Sequence, residues 1–270
     1  MPYESELAVA MQAAEAAAEL VLDHYQRFVP IPDAPSNITT ETDHAAQELI
    51  LRSLRHAYPG DSLCAEESTP TLATAPLQGD RLWIVDPIDG TRGFAQKNGE
   101  FCIMIGMVDR GLMVVGVVFE PVRWACTFAA KGTGCWRIEG RGAVRTACRV
   151  SATNDLAKLR LTQSRSKTAR ESPVVKRLKP ASTIETYSAG LKLAQVATGA
   201  ADLYVNIYPE FHDWDICAGH ILVEEAGGRV TNLQGQPINY GSPGFKQRQG
   251  LLASNGALHG ASLAMLNAAS

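Results

Sequence analysis

The chain has 270 residues, 46% hydrophobic and 20% charged, the proportions of a globular protein large enough to bury a substantial core as one domain or two intimate halves. A net charge of −3, with basic residues scattered apart from a modest cluster between Arg165 and Lys179, argues against a nucleic-acid polymer or a charged membrane surface as partner. No apolar run approaches the roughly 20 residues that span a bilayer.

Glu4, Glu6, Glu15 and Glu19 all precede the first basic residue, Arg27, so no cleaved export signal is expected. The six cysteines, at 64, 102, 126, 135, 148 and 217, show no C-x-x-C pair and no zinc spacing. Reduced core thiols in a cytoplasmic enzyme are the expectation.

Leu7, Met11, Ala14, Ala18, Leu22 and Tyr25 recur at three and four, which predicts a long amphipathic helix with Ser5 as its N-cap. Val29 to Ser36, with three prolines, reads as a loop. A second helix is predicted within Ile38 to Tyr58, after Thr39, Thr40, Glu41, Thr42 and Asp43. Asp43 or a threonine there either caps that helix or reaches toward a functional site. In Ser62 to Ser68, Glu66 and Glu67 follow a short apolar run; adjacent carboxylates repel unless a cation draws them in. Thr69 to Asp80 reads as an irregular loop.

Next comes the stretch WIVDPIDGTRGF, Trp83 to Phe94. Leu82 to Val85 predicts a buried strand closed by Asp86, and Pro87, lacking an N–H, is expected to end it. Asp86 and Asp89 thus sit three positions apart at a strand end, with the N–H groups of Gly90 and Thr91 immediately after them. Carboxylates hold hard divalent cations, and N–H groups at a helix start hold phosphate oxygens. Singly, Asp-Pro and Asp-Gly are ordinary turn dipeptides. A D-x-D-G-T motif with a nucleophilic aspartate has one residue between its acids, whereas two separate Asp86 from Asp89.

Hairpin-connected strands are predicted over Phe101 to Val108, Leu112 to Phe119, Trp124 to Ala129 and Cys135 to Ile138. From about Ala147 strands and helices alternate. Leu159 to Thr162 reads as a strand, Lys167 to Leu178 as a helix, and Ser188 as the cap of a helix through Leu191, Ala194 and Val196. Ala201 to Ile207 reads as a strand, and Trp214-Asp215 as the opening of a helix that ends at Gly227-Gly228. Asp213 or Asp215 is either an N-cap or a site residue there. His220 and Glu224, four apart on it, read as a packing or surface pair.

The central stretch resembles the D-P-[IL]-D-G-T signature of the inositol monophosphatase-like superfamily, the Mg2+-dependent, Li+-sensitive phosphomonoesterases. Thr40 to Asp43 is similar to its T-E-x-D element, Glu66-Glu67 to its Glu-Glu pair, and Trp214 to Gly228 to its second signature. The resemblance implies metal ligation by Glu66, Asp86, Asp89 and Asp215 with the carbonyl of Ile88. It implies two or three Mg2+ ions, Mn2+ being a possible substitute, and direct attack of a metal-activated water on phosphorus. Asp43 and Thr91 would orient and deprotonate that water, Glu67 would help polarise it, and Gly90 and Thr91 would hold the phosphoryl group.

Within the superfamily, Gly90 to Phe94 followed by Lys97 to Phe101 looks like the 3'(2'),5'-bisphosphate nucleotidases, which release the 3'-phosphate of adenosine 3',5'-bisphosphate. Ser188, Lys192 and Asp215 are the matching substrate contacts; Lys192 either holds a second phosphate or is a solvated helix lysine. Gly93 stands where an acidic residue is usual, and Ser188-Ala189-Gly190 replaces a Gly-Ser-Ser. The alternatives are an inositol-1-phosphate or sugar-phosphate monophosphatase and, in another class, a non-catalytic metal- or phosphate-binding regulator. The expected architecture is an α/β (α+β) layered αβαβα sandwich. Residues 1–146 form a half with a largely antiparallel sheet, and 147–270 a smaller α/β half completing the site. Family members are commonly homodimers, and a small phosphorylated substrate is the expected partner.

Overall fold

The structure, a computed structural model, describes residues 2–76, 79–165 and 172–268. Helix α1 (Glu4–Arg27) turns Ala10, Ala13, Ala14, Ala17, Ala18 and Val21 inward, and these small side chains let it lie close to the sheet beneath. Ser5 does not cap it. Tyr3 precedes the first turn at φ 64°, and the Ser5 hydroxyl donates to Glu6 Oε2 at 2.9 Å. Helix α2 (Glu41–Ala57) is capped by Thr40, with Asp43 accepting from the Thr40 N–H at 2.9 Å to complete a capping box.

The first sheet has seven strands in sequence order: β1 (Ser62–Ala65), β2 (Arg81–Asp89), β3 (Cys102–Asp109), β4 (Leu112–Glu120), β5 (Ala125–Ala130), β6 (Cys135–Glu139) and β7 (Thr146–Ala147). Only β1 and β2 run parallel. Arg110 and Gly111, at φ 49° and 80°, form the tight turn between β3 and β4. The predicted loop before β2 contains a short helix, α3 (Pro70–Ala73), with residues 77–78 outside the described residues.

Pro87 does not end β2. Asp86 pairs with Met104 and Asp89 with Cys102, so Pro87 and Ile88 together face Ile103 across a bulge. A bulge leaves a residue unpaired, which accommodates the missing proline N–H and re-aims the side chains that follow. The short helix α4 (Thr91–Ala95) begins directly after Gly90, at φ 94°.

The second sheet has the order β12-β14-β10-β8-β9. Its strands are β8 (Arg160–Ser164), β9 (Ser182–Thr186), β10 (Leu203–Asn206), β12 (Arg229–Thr231) and β14 (Leu251–Ser254). Strands β11 (Phe211–His212) and β13 (Lys246–Gln247) pair separately. Between the sheets lie α6 (Ala189–Ala197) and α7 (Cys217–Glu225); α5 (Pro173–Leu178) and α8 (His259–Asn267) pack outside the second. With α1 and α2 outside the first sheet, the layers are αβαβα. Of the helix predicted over Lys167 to Leu178, residues 167–171 lie outside the described residues, and α5 is the remainder.

Two facing glycines, Gly106 and Gly116, set α7 against the first sheet. A Cβ on Gly116 would meet Ala218 O at 2.3 Å, and one on Gly106 would meet Cys217 Sγ at 2.9 Å. Backbone-to-backbone approach of this kind needs glycine, and it brings the segment ahead of α7, with Asp215, to the end of β2. The helix starts two residues later than expected. Neither Asp213 nor Asp215 caps it; Asp213 accepts from Gly241 N and Gln247 Nε2 instead. All six cysteines are free and buried.

Candidate active site

The end of β2, the start of α4, the turn after β1 and the approach to α7 meet at a cleft of about 510 Å³. Glu66, Asp86, Ile88, Asp89, Gly90, Thr91, Lys192 and Asp215 line it. Asp43, Glu67 and Ser188 stand behind its walls or at its rim.

Each acid is held differently. Asp86 accepts from Ile88 N at 3.1 Å, closing a small loop over Pro87. Asp89 receives Ser188 Oγ at 2.6 Å, Gly190 N and the Cys102 thiol at 3.8 Å, all on Oδ2, so Oδ1 has no protein donor among the described residues. Asp215 Oδ2 accepts from His212 N at 2.6 Å. Glu66 is anchored through its backbone, which donates to Val85 O at 3.3 Å, and its side chain opens into the cleft.

These charges press on one another. Burial, followed by the charges of Glu66, Asp89, Asp215 and Asp43, holds Asp86 well above the usual carboxylate range. Glu66 is pushed up to about 8 by the protein around it and by Asp215, Glu67, Asp43 and Asp89. Asp215 is pushed up to about 7, chiefly by burial. Among the described residues no three His, Cys, Asp or Glu side chains form a closed ligand set. The four carboxylates instead share one cleft and repel across it. Their donors are all oxygen, which suits a hard divalent cation and not zinc.

Thr91 Oγ1 lies 3.0 Å from both Asp43 Oδ1 and Ile88 O, and its single proton serves one at a time. Asp43 is buried, and burial raises its pKa against the hydrogen bonds of Thr40 and Thr91. Glu67 has its backbone clasped by Gln47, while its carboxylate takes Thr39 Oγ1 at 3.1 Å and lies 3.6 Å from His44. The N–H groups of Gly90 and Thr91 have no acceptor among the described residues.

The substrate contacts expected at Ser188 and Lys192 differ in kind. Ser188 is fully buried, caps α6 through Leu191 N at 2.9 Å and gives its proton to Asp89; its hydroxyl does not face the cleft. Lys192 is not a solvated lysine. It is 1% exposed, its ammonium 3.2 Å from Ser164 Oγ, and burial lowers its pKa to about 8 against the pull of Asp89 and Asp215.

Three cleft residues escaped the sequence. The rings and guanidinium groups of Arg92, Arg165 and Tyr187 form a stack, with Arg92 and Arg165 5.3 and 5.9 Å from the Tyr187 centroid. Glu100, in the unusual stretch after α4, fixes Arg165 by a bidentate pair, and Glu185 O takes a further bond at 2.9 Å. Nothing local in sequence joins positions so far apart. A separate cavity of about 320 Å³ adjoins His220, whose ring bonds Tyr240 at 2.8 Å and Glu224 at 3.2 Å; it contains none of the site acids.

A layered sandwich with an acid-lined cleft between helix starts and strand ends is an arrangement for handling phosphate through cations. The sequence matches the inositol monophosphatase family over residues 3–269. It is 32% identical over 246 residues to the 3'(2'),5'-bisphosphate nucleotidase CysQ of Escherichia coli, covering 87% of this chain and 96% of that protein. It is 27% identical to the inositol-1-monophosphatase of Bacillus subtilis, over 87% of this chain and 86% of that one. Among solved structures, the inositol monophosphatase of Thermotoga maritima superposes with a TM-score of 0.81 at 28% identity, covering 97% of both chains.

The chain belongs to the inositol monophosphatase family. It is accordingly a metal-dependent phosphoric monoester hydrolase.

Proposed function

We propose that this enzyme is a Mg2+-dependent 3'(2'),5'-bisphosphate nucleotidase, converting adenosine 3',5'-bisphosphate to AMP and phosphate. The observation that carries this reading is the opposition of charge within one cleft. Glu66, Asp86, Asp89 and Asp215 line it together with the buried Lys192, Arg92 and the tethered Arg165. Glu100 already offsets Arg165, which leaves Lys192 and Arg92 as the charges available to a second phosphate. A monophosphate ester leaves that end of the cleft unmatched. The relative named CysQ supports the same substrate.

In this reading Glu66, Asp86, Asp89, Asp215 and the Ile88 carbonyl hold two or three Mg2+ ions, with Mn2+ a substitute. Bound there, the cations supply Lewis-acid activation of water and offset charge on the phosphoryl group. The protein's own part is positional. Thr91, when it donates to Asp43, presents its oxygen to the hydrogen of an attacking water, and Asp43 keeps the proton that arrives. The unpaired N–H groups of Gly90 and Thr91 receive the phosphoryl oxygens. Ser188 fixes Asp89 in place, and Glu67 acts from the rim. Residues 1–146 and 147–270 work as two halves, with Asp215 contributed by the second; the first sheet takes in Ala147 as the last residue of β7.

Six unpaired thiols fit a reducing compartment, and a cytoplasmic location belongs to this proposal, as do Li+ sensitivity and a homodimer. Among the described residues no helix is long and apolar enough to cross a membrane.

The test is phosphate release with Mg2+ from adenosine 3',5'-bisphosphate, inositol 1-phosphate, fructose 1,6-bisphosphate and histidinol phosphate. A hundredfold preference in kcat/KM for the nucleotide, about 2.7 kcal/mol at the transition state, is expected. Equal or better turnover of inositol phosphate would overturn the nucleotide assignment and favour an inositol- or sugar-phosphate monophosphatase.

A further inference from the structure

Cys135 and Cys148 face each other across the edge of the first sheet. Strands β6 and β7 pair Trp136 with Ala147 and Arg137 with Thr146, so the next antiparallel pair outward is Cys135 with Cys148. The bond from Cys148 N to Cys135 O, 2.8 Å, extends the ladder to that pair. Directly opposed residues in such a pair have Cα atoms about 5.5 Å apart, within the span a disulfide bridges. Both side chains belong to the buried core between the sheets that also takes in Leu193, Ala197 and Ala226.

We propose that Cys135 and Cys148 form a reversible dithiol–disulfide site, oxidised by hydroperoxides, that clasps the chain's passage from the first sheet to the second. Strand β7 is only two residues long and lies at the sheet's edge, with Val144, Arg145, Thr146 and Ala147 exposed around it. Cys148, 8% exposed at this edge, is the sulfur of the pair that a small oxidant reaches first. Two residues further on, Val150 N bonds Ala226 O, the residue after α7, so the clasp lies on the covalent route between the sheets and against the helix that follows Asp215.

The two sulfurs are not equivalent. Cys148 continues the edge strand β7 and is 8% exposed, whereas Cys135 lies on β6 and is 2% exposed. Burial raises the other four thiols, Cys64, Cys102, Cys126 and Cys217, alike. Cys148 is therefore the attacking sulfur. Its thiolate displaces hydroxide from the hydroperoxide's O–O bond, giving a sulfenic acid and, after protonation, one water (an alcohol if the peroxide is organic). The Cys135 sulfur then attacks that sulfenic sulfur, its proton leaving with the hydroxyl as a second water. Two thiols lose two electrons, and the peroxide takes them. In a reducing compartment such a bond is a transient signal rather than a permanent staple.

The experiment treats the folded, full-length protein with hydrogen peroxide, blocks remaining thiols under denaturing conditions and maps the peptides by mass. The expected result is a Cys135–Cys148 crosslink with the mass loss of two hydrogens, reversed by dithiothreitol. Cys126→Ser should keep it. Cys135→Ser should leave Cys148 trapped as a sulfenic acid, captured by dimedone. Full blocking of both thiols after peroxide, a crosslink joining other cysteines, or no dimedone adduct in Cys135→Ser would each overturn the proposal. The map reads chemistry and not phosphatase turnover, so it stands apart from the substrate assay.

Discussion

Asp43 binds Thr40 with one carboxylate oxygen and Thr91 with the other: Oδ2 takes the Thr40 N–H at 2.9 Å, and Oδ1 takes the Thr91 hydroxyl at 3.0 Å. One side chain thus caps α2 and holds Thr91, which lines the cleft. The spacing leaves a cap and a site residue as alternatives, and the two bonds are compatible with both. The cap orients the carboxylate, and the orientation makes the far oxygen available to Thr91.

Asp43→Asn separates the two roles. An amide oxygen still accepts from Thr40, but an amide nitrogen then meets the Thr91 hydroxyl with the wrong polarity. Turnover should fall by about 10²–10³-fold, the scale of losing a proton acceptor, with little change in melting temperature. Thr40→Ala should do the reverse, costing about 1 kcal/mol of stability, some 2–4 °C at this size, while most turnover survives. Steady-state kinetics and thermal melts on the pair check this; equal loss of turnover in both would show that the cap alone matters.

Gly93→Ala tests why this chain lacks an acid at that position. A Cβ there would meet Glu100 O at 2.4 Å, Glu100 C at 2.9 Å and Asn98 Oδ1 at 3.0 Å. Backbone cannot yield as a flexible side chain does, so a loss of about 1–3 kcal/mol is expected. Because Arg165, which Glu100 holds, shares the Tyr187 ring with Arg92, the bisphosphate KM should rise as well. An unchanged melting temperature would show that the contact relaxes freely.

Much of the acid cluster was legible because its residues fall in short local signals: Asp86 to Thr91, Glu66-Glu67, Thr40 to Asp43 and Trp214-Asp215. What the sequence concealed is long-range. Ser188 and Gly190 brace Asp89 from a hundred positions away, and no period or spacing announces that. Gly190 is small because a Cβ would meet Cys102 Sγ and Met104 Sδ at 2.7 Å, a fact about packing between halves. Strands β9, β12 and β14 give no strand signal: β9 (STIET) carries one apolar residue, β12 (RVT) has only three residues, and β14 (LLAS) shows no alternation. Ser5 does not cap α1 because Tyr3 adopts a left-handed turn that propensity disfavours.

The carboxylate cluster predicts a pH dependence that metal should reverse. Glu66 and Asp215, at about 8 and about 7 in the folded protein, lie above the values 4.5 and 3.8 of free side chains. Between those limits the native state holds more protons than the unfolded chain, so stability falls as pH rises. Thermal melts in chelator should therefore decline from pH 5 toward pH 8. Adding Mg2+ should raise the melting temperature more at pH 8 than at pH 5.5, where protons compete for the same oxygens. An equal Mg2+ effect at both pH values would contradict the assignment of these acids as ligands.

His259 governs the acid side. It is 1% exposed, with its ring nitrogens 2.9 Å from Thr231 Oγ1 and 2.7 Å from Ser254 Oγ, and burial lowers its pKa to about 4 from 6.5. Below pH 6.5 the unfolded chain takes up the proton first, so stability is complete above that pH and lost as pH falls toward 4. The full effect is on the order of 3 kcal/mol. His259→Gln should be less stable at pH 7 and should flatten this limb in pH-dependent denaturant titrations; an unaltered slope would assign the limb to another group.

Lys192 offers the sharpest separation of substrate from scaffold. Its ammonium is enclosed, within 3.2 Å of Ser164 Oγ and 5.2 Å of the Tyr204 ring, and it shares the cleft with Arg92. Lys192→Met keeps the length of the side chain and removes the charge. A charge-assisted bond to a second phosphate contributes about 1.5–3 kcal/mol, so kcat/KM for adenosine 3',5'-bisphosphate should fall about tenfold to a hundredfold. For adenosine 3'-phosphate, which has no second anion to meet it, the change should be severalfold at most. Equal losses on both substrates would mean that Lys192 acts through Asp89 and Asp215, whose charges it faces, and that the second phosphate is held elsewhere.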